Sequence, residues 1–184
     1  MEQVTLGGNA WIYPRLEFVP VSATFGLDVT FNDTVDLHLG PGTMTIGTDT
    51  YDLTFDEGDL RVERSEFADP FEPFVIVSLT ATRVVTATLK TGDEFFADGT
   101  GVFSWERFEV RSGDFFAVFI SKRMNLRLVN LGQLYNVDLL SFDPPDAAER
   151  IQKASADKPA LQLHLQRMSR RPGWVGPFSS PARS

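Results

Sequence analysis

Apolar and polar residues alternate with a period of two along most of this chain, and the alternation is densest from Phe74 to Ile120. In the first run of that stretch Val75, Val77, Leu79, Ala81, Val85, Ala87 and Leu89 are apolar. Ser78, Thr80, Thr82, Thr86, Thr88 and Lys90 hold most of the intervening positions. Successive side chains of a strand point to opposite faces, so this run predicts a long strand, or two end to end, with its odd face buried. Further on, Phe103 and Trp105 share one parity while Phe108 and Val110 share the other. Such a switch predicts a β-bulge at Glu106-Arg107.

The same reading extends in both directions. Arg15 to Val21 predicts a strand, with Pro20 placing it at an edge. Ala23, Phe25, Leu27, Val29 and Phe31 predict a half-buried strand, and Val35, Leu37 and Leu39 another. Met44 and Ile46, then Tyr51, Leu53 and Phe55, predict a short pair, followed by Leu60 to Glu63. Met124, Leu126 and Leu128, then Val137 and Leu139, continue the pattern. Gly40-Pro41-Gly42, Asp56-Glu57-Gly58-Asp59 and Asp98-Gly99-Thr100-Gly101 read as turns, and the chain through Pro14 as irregular, with a turn at Gly7-Gly8-Asn9. Asp146 and Glu149 resemble a capping box, which predicts one helix over 147–158 before Pro159, and Leu161, Leu163 and Leu165 predict a last strand.

About ten short strands with few helical segments predict an all-β fold, a two-sheet sandwich of jelly-roll or Greek-key type. A parallel α/β sheet is excluded, because it needs a helix between most strands. The expected organisation is a sandwich body over 1–142, a helix and final strand over 143–168, and an extended arm over 169–184.

Charge changes this picture. Residues 1–120 hold 7 Lys and Arg against 20 Asp and Glu, a net of −13; residues 121–184 hold 10 against 5, a net of +5. An acidic body repels phosphates, so direct nucleic-acid binding through it is not expected. No run approaches the ~20 apolar residues of a membrane span, and residues 1–10 do not read as a secretion signal, so no membrane partner is expected. The chain has no cysteine, which removes disulfides, thiolate ligands and thiol nucleophiles.

Catalytic patterns are sparse. His38 and His164 fall at solvent-facing positions of alternating strands, and the chain contains neither a Gly-x-Ser-x-Gly elbow nor a phosphate-binding loop. Asp98-Gly99-Thr100-Gly101 comes near the Asp-Thr-Gly of aspartic proteases, but the inserted glycine breaks it. Asp49, Asp52, Asp56, Glu57 and Asp59 crowd one predicted hairpin, and Asp93, Glu94 and Asp98 another, as calcium loops do, without EF-hand spacing. Solvation of hairpin tips is the simpler reading, and no cofactor or resident metal is expected. Trp11 and Tyr13 are candidates for a sugar-stacking surface, whereas Trp105 belongs with the core.

Arg83 is the one charge on the inward face of the long strand. Its expected place is the rim, with the stem on apolar surface and the head in water; a carboxylate partner at a subunit contact is the sharper alternative. Arg167 just before the arm, and Arg170, Arg171, Trp174 and Phe178 within it, stand in a tail rich in Pro, Gly and Ser, a composition that builds no core but suits an interface. The expected function is a non-enzymatic structural subunit of a larger assembly. It would dock copies of itself, other subunits or both through this arm, and a virion component of tailed phages (capsid decoration, neck or tail protein) is the compatible class. That implies a virion, or the host cytoplasm during assembly. The alternative is a carbohydrate- or ligand-binding β-module, with calcium as a conceivable helper.

Overall fold

A computed structural model of the chain describes residues 1–32, 34–71 and 74–143. It contains eight strands: β1 (Glu2–Tyr13), β2 (Glu17–Phe31), β3 (Val35–Ile46), β4 (Asp49–Asp69), β5 (Phe74–Thr91), β6 (Glu94–Ser112), β7 (Phe115–Asn130) and β8 (Gln133–Asp143). The expected helix, last strand and arm, with His164, Arg167, Arg170, Arg171, Trp174 and Phe178, lie outside the described residues.

The all-β expectation holds, but the layering differs from a two-sheet sandwich. The strands follow one another in chain order around a closed barrel. Closure is made by β8 against β1, antiparallel from Gly7↔Leu140 to Tyr13↔Leu134. Gly47, Gly92, Gly113 and Gly132, all with positive φ, sit in the tight turns after β3, β5, β6 and β7. These are the positions where a short hairpin needs left-handed backbone, and such turns keep sequential strands adjacent.

Eight strands replace about ten because several expected turns are strand interior. Asp56 to Asp59 lies within β4, Gly40 to Gly42 within β3, Asp98 to Gly101 within β6, and Gly7 to Asn9 within β1. The glycines serve close approach instead. A Cβ on Gly99 would fall on the Arg127 carbonyl, one on Gly101 on the Asn125 carbonyl, and one on Gly8 on the Asp138 carbonyl. Pro20, expected at an edge, is paired with Asn9 inside the ring, and its carbonyl accepts from the Gly47 amide at 2.8 Å.

The chain divides into two compact units. Among the described residues, the first comprises Met1–Glu63, Thr80–Trp105 and Lys122–Ser141; the second Arg64–Leu79, Glu106–Ser121 and residues 142–143. In the first unit the inward residues include Leu6, Phe25, Leu37, Met44, Phe103 and Leu128, all fully buried. Phe25 meets Phe55 and Phe103 edge-on, at 5.5 and 5.8 Å between centroids. Side chains fill a barrel of eight strands, and each aromatic pair adds about 0.5–1.5 kcal/mol beyond burial. Outward positions such as Gln3, Thr5, Asn9, Ser22 and Thr24 are polar, with the Thr5 and Thr24 hydroxyls 2.9 Å apart. Among the described residues no helix is long and apolar enough to cross a membrane.

The second unit buries the opposite parity. The parity change expected at Glu106-Arg107 is present, from Trp105 to Phe108, and the unit boundary falls there. In β7 it falls between Ser121 and Met124. It also occurs in β5, where Phe74, Ile76 and Ser78 are buried before Ala81, Val85 and Ala87. The single odd face expected from Val75 is thus correct only from Ala81 on. From Phe74 to Val77 every residue is apolar, so alternation there does not choose a face. Phe108 stacks on Phe119 at 4.7 Å in this second core.

Candidate functional site

Among the described residues, four charged or titratable side chains, Asp36, His38, Glu57 and Arg83, gather where β3 faces β4. The β3–β4 ladder pairs Ile46↔Asp49 through Gly42↔Leu53. Further along both strands, side chains bond the backbone. Arg83, on β5, donates from Nε to the Leu37 carbonyl at 3.1 Å and from Nη1 to the Gly58 carbonyl at 3.0 Å. The Glu57 carboxylate accepts from the Leu39 amide at 2.7 Å. A guanidinium with donors in a fixed fork suits such a seam. The Arg83 side chain is only 12% exposed, with Glu57 Oε1 at 3.7 Å and Asp36 Oδ1 at 3.8 Å. The expectation that its head reaches water is therefore corrected: its carboxylate partners are in its own unit.

His38 closes the outer side of this seam. Its Nδ1 lies 3.2 Å from Glu57 Oε2 and its Nε2 3.0 Å from Asp36 Oδ2. Both bonds favour the imidazolium, and the Glu57 bond is the larger cause raising the His38 pKa above its ordinary 6.5. Asp36 is held below its ordinary value, first by the Leu37 amide and then by His38. A histidine with both ring nitrogens bonded to carboxylates is a clasp; a general base needs one nitrogen facing a substrate. Among the described residues no three His, Asp or Glu side chains are grouped to hold a metal ion.

A different surface lies on the outer face of β8, β1 and β2, in the first unit. The register sets Trp11 between Asn136 on β8 and Phe18 on β2, and Asn9 between Asp138 and Pro20. Trp11 and Phe18 rings tilt together at 4.6 Å. Tyr13 and Phe18 are 57% and 53% exposed. Two leucines rim this face, Leu16 and Leu131, each at a turn and each with positive φ. Asp138 is fixed by a two-pronged bond from Arg123, at 3.0 and 2.9 Å. A shallow groove adjoins it, lined by Thr100, Val102, Asn125, Arg127, Asn136 and Asp138.

The second unit presents aromatic ends. Phe71 is almost wholly exposed and Phe116 half exposed, on the β4–β5 turn and at the start of β7. A hollow lined by Ala68, Pro70, Phe74, Val75, Arg111 and Gly113 lies beside them. The Arg111 guanidinium sits 5.2 Å above the Phe116 ring, and Arg111 and Arg107 both bond Glu109, which lowers the Glu109 pKa.

Compared with known proteins, the chain matches no family model, no curated protein and no solved structure. Of the residues singled out in the sequence, Arg83 and His38 prove to share one cluster, and Trp105 is core. Asp36 and Glu57 were missed as its members, although Asp36-x-His38 at strand spacing was a visible signal. Phe18 and Asn136 join Trp11 only through strand pairing, which no local pattern announces.

Proposed function

We propose that this chain is a non-enzymatic structural subunit that joins copies of itself in a larger assembly, with a tailed-phage virion component as the fitting class. The observation that carries the reading is the aromatic end of the second unit. Phe71 and Phe116 stand exposed beside an apolar hollow and an arginine stacked on a ring. Phenylalanine and arginine are enriched at protein interfaces, and a water-exposed aromatic cluster gains from being covered. The basic arm with Arg167, Arg170, Arg171, Trp174 and Phe178 is a second proposed contact, drawn to the acidic body of a neighbour.

Light scattering of the full chain across concentration tests this. The expected result is a discrete multimer, or growing polymer, that reverts to monomer in the double variant Phe71→Asp, Phe116→Asp. A chain ending at Pro159 is expected to weaken assembly while its thermal transition persists. A multimer indifferent to both changes, or a wild-type chain that stays monomeric throughout, overturns the reading.

A further inference from the structure

We propose that the outer face of β2, β1 and β8, with the adjoining groove of β8, β7 and β6, is a binding site for a neutral oligosaccharide. The inference is independent of the assembly surface, since every residue it uses belongs to the first unit.

A pyranose ring presents apolar C–H faces and an equatorial belt of hydroxyls. A site for it needs exposed aromatic rings as a floor and a few placed donors and acceptors beside them. The face supplies both, in register. The exposed Tyr13 and Phe18, with the half-buried Trp11 tilted 53° against Phe18, form the floor, and Asn136 and Asn9 stand next to Trp11 across and along the strands. Each carboxamide offers two donors and an acceptor, the complement of vicinal hydroxyls. Both side chains are exposed and bond no other group among the described residues. Asp138 is held in place by Arg123 before any ligand arrives, so fixing it costs a ligand little.

The groove extends the site past a single ring. Asn136 and Asp138 border the aromatic floor on one side and line the groove on the other, where Thr100, Asn125 and Arg127 follow. From β2 to β6 around the ring are four inter-strand steps, about 19 Å along the surface at ~4.8 Å each. That length suits several linked sugars. Within the groove Asp138 and Arg123 neutralise each other and Arg127 adds one exposed cation, while the −8 of the chain as a whole disfavours acidic sugars. Leu16 and Leu131, 63% and 97% exposed on left-handed backbone, rim the aromatic end. Strained, exposed apolar residues mark surfaces kept for contact.

The test is calorimetric titration of the full chain with the hexasaccharides of xylose, β-linked glucose, β-linked mannose and α-linked glucose. At least one is expected to bind, and Trp11→Ala and Asn136→Ala are each expected to weaken it at least tenfold, with unchanged circular dichroism and thermal transition. Thr54→Ala, on the exposed side of β4, is the control and is expected to bind as wild type. Trp11→Phe retains a ring and is expected to keep part of the affinity. The proposal is overturned if none of the four sugars binds, or if binding survives the double variant Trp11→Ala, Asn136→Ala. It is equally overturned if that variant dissolves a self-assembled multimer, which would make the face a protein contact.

Discussion

Replacing Arg83 with leucine probes the seam between β3 and β4 most directly. Leucine keeps an apolar stem and removes the guanidinium, so the Leu37 and Gly58 carbonyls lose their side-chain donor. A hydrogen bond from a charged donor contributes about 1.5–3 kcal/mol, and two would give about 3–6. The seam is partly wet, with Asp36 49% and His38 46% exposed. Water therefore replaces some of what is lost, and the expected cost is about 2–4 kcal/mol. For a chain of this size each kcal/mol moves the midpoint by about 2–4 °C, so the transition should fall by about 4–16 °C. Urea unfolding followed by tryptophan fluorescence reads the same difference, since Trp105 packs against Phe31 at 5.1 Å. Arg83→Lys keeps the charge but not the fork, and should fall between the two. A loss below about 0.5 kcal/mol for Arg83→Leu, or a lysine variant equal to wild type, would refute the argument.

Two further changes test neighbouring features. His38 is raised above 6.5 by Glu57 and Asp36, so its contribution is fully present below 6.5 and is lost as pH rises through the raised value. Asp36 works in the opposite sense, its contribution lost as pH falls below 3.8 toward its lowered value. Urea midpoints from pH 5 to 9 should show a decline in wild type that His38→Gln removes, amounting to less than about 1 kcal/mol on so exposed a side chain. The other charges facing His38 are Arg83 and Asp28, its β2 register partner, and Asp28→Asn should leave the decline in place. Gly99→Ala places a methyl group on the Arg127 carbonyl and should cost about 1–3 kcal/mol or more, with faster amide exchange along β6 and β7; unchanged exchange would contradict the close approach.

Much of the fold was legible because core and solvent positions alternate cleanly. Ala23, Phe25 and Leu27, Val35, Leu37 and Leu39, and Met124, Leu126 and Leu128 are all buried as their spacing predicts. The failures share a cause. A glycine signals either a bend or a place where backbones nearly touch, and the sequence does not distinguish the two. Reading Gly7-Gly8 as a turn dissolved β1, and with it the outward row Asn9, Trp11, Tyr13. Reading Gly58 as a turn split β4 and hid that Glu57 reaches back to Leu39. The parity change at Glu106 was visible because polar residues separate Phe103 and Trp105 from Phe108 and Val110. In β5 it was masked by apolar residues at both parities. The partners of Arg83 lie 46 and 25 residues away, beyond any periodic pattern.

The pairing of β8 with β1 bears on which parts of this barrel are open to change. Where Gly7–Tyr13 of β1 pairs with Leu134–Leu140 of β8, neither terminal strand is free to recruit a strand from another molecule. Affinity in the first unit must then be written in side chains on a finished framework. Substitutions at Trp11, Asn136 or Leu131 change that outer surface while leaving the ladder beneath intact. The outward side chains and the hydrogen-bonded ring beneath them are in this sense separate layers of the design.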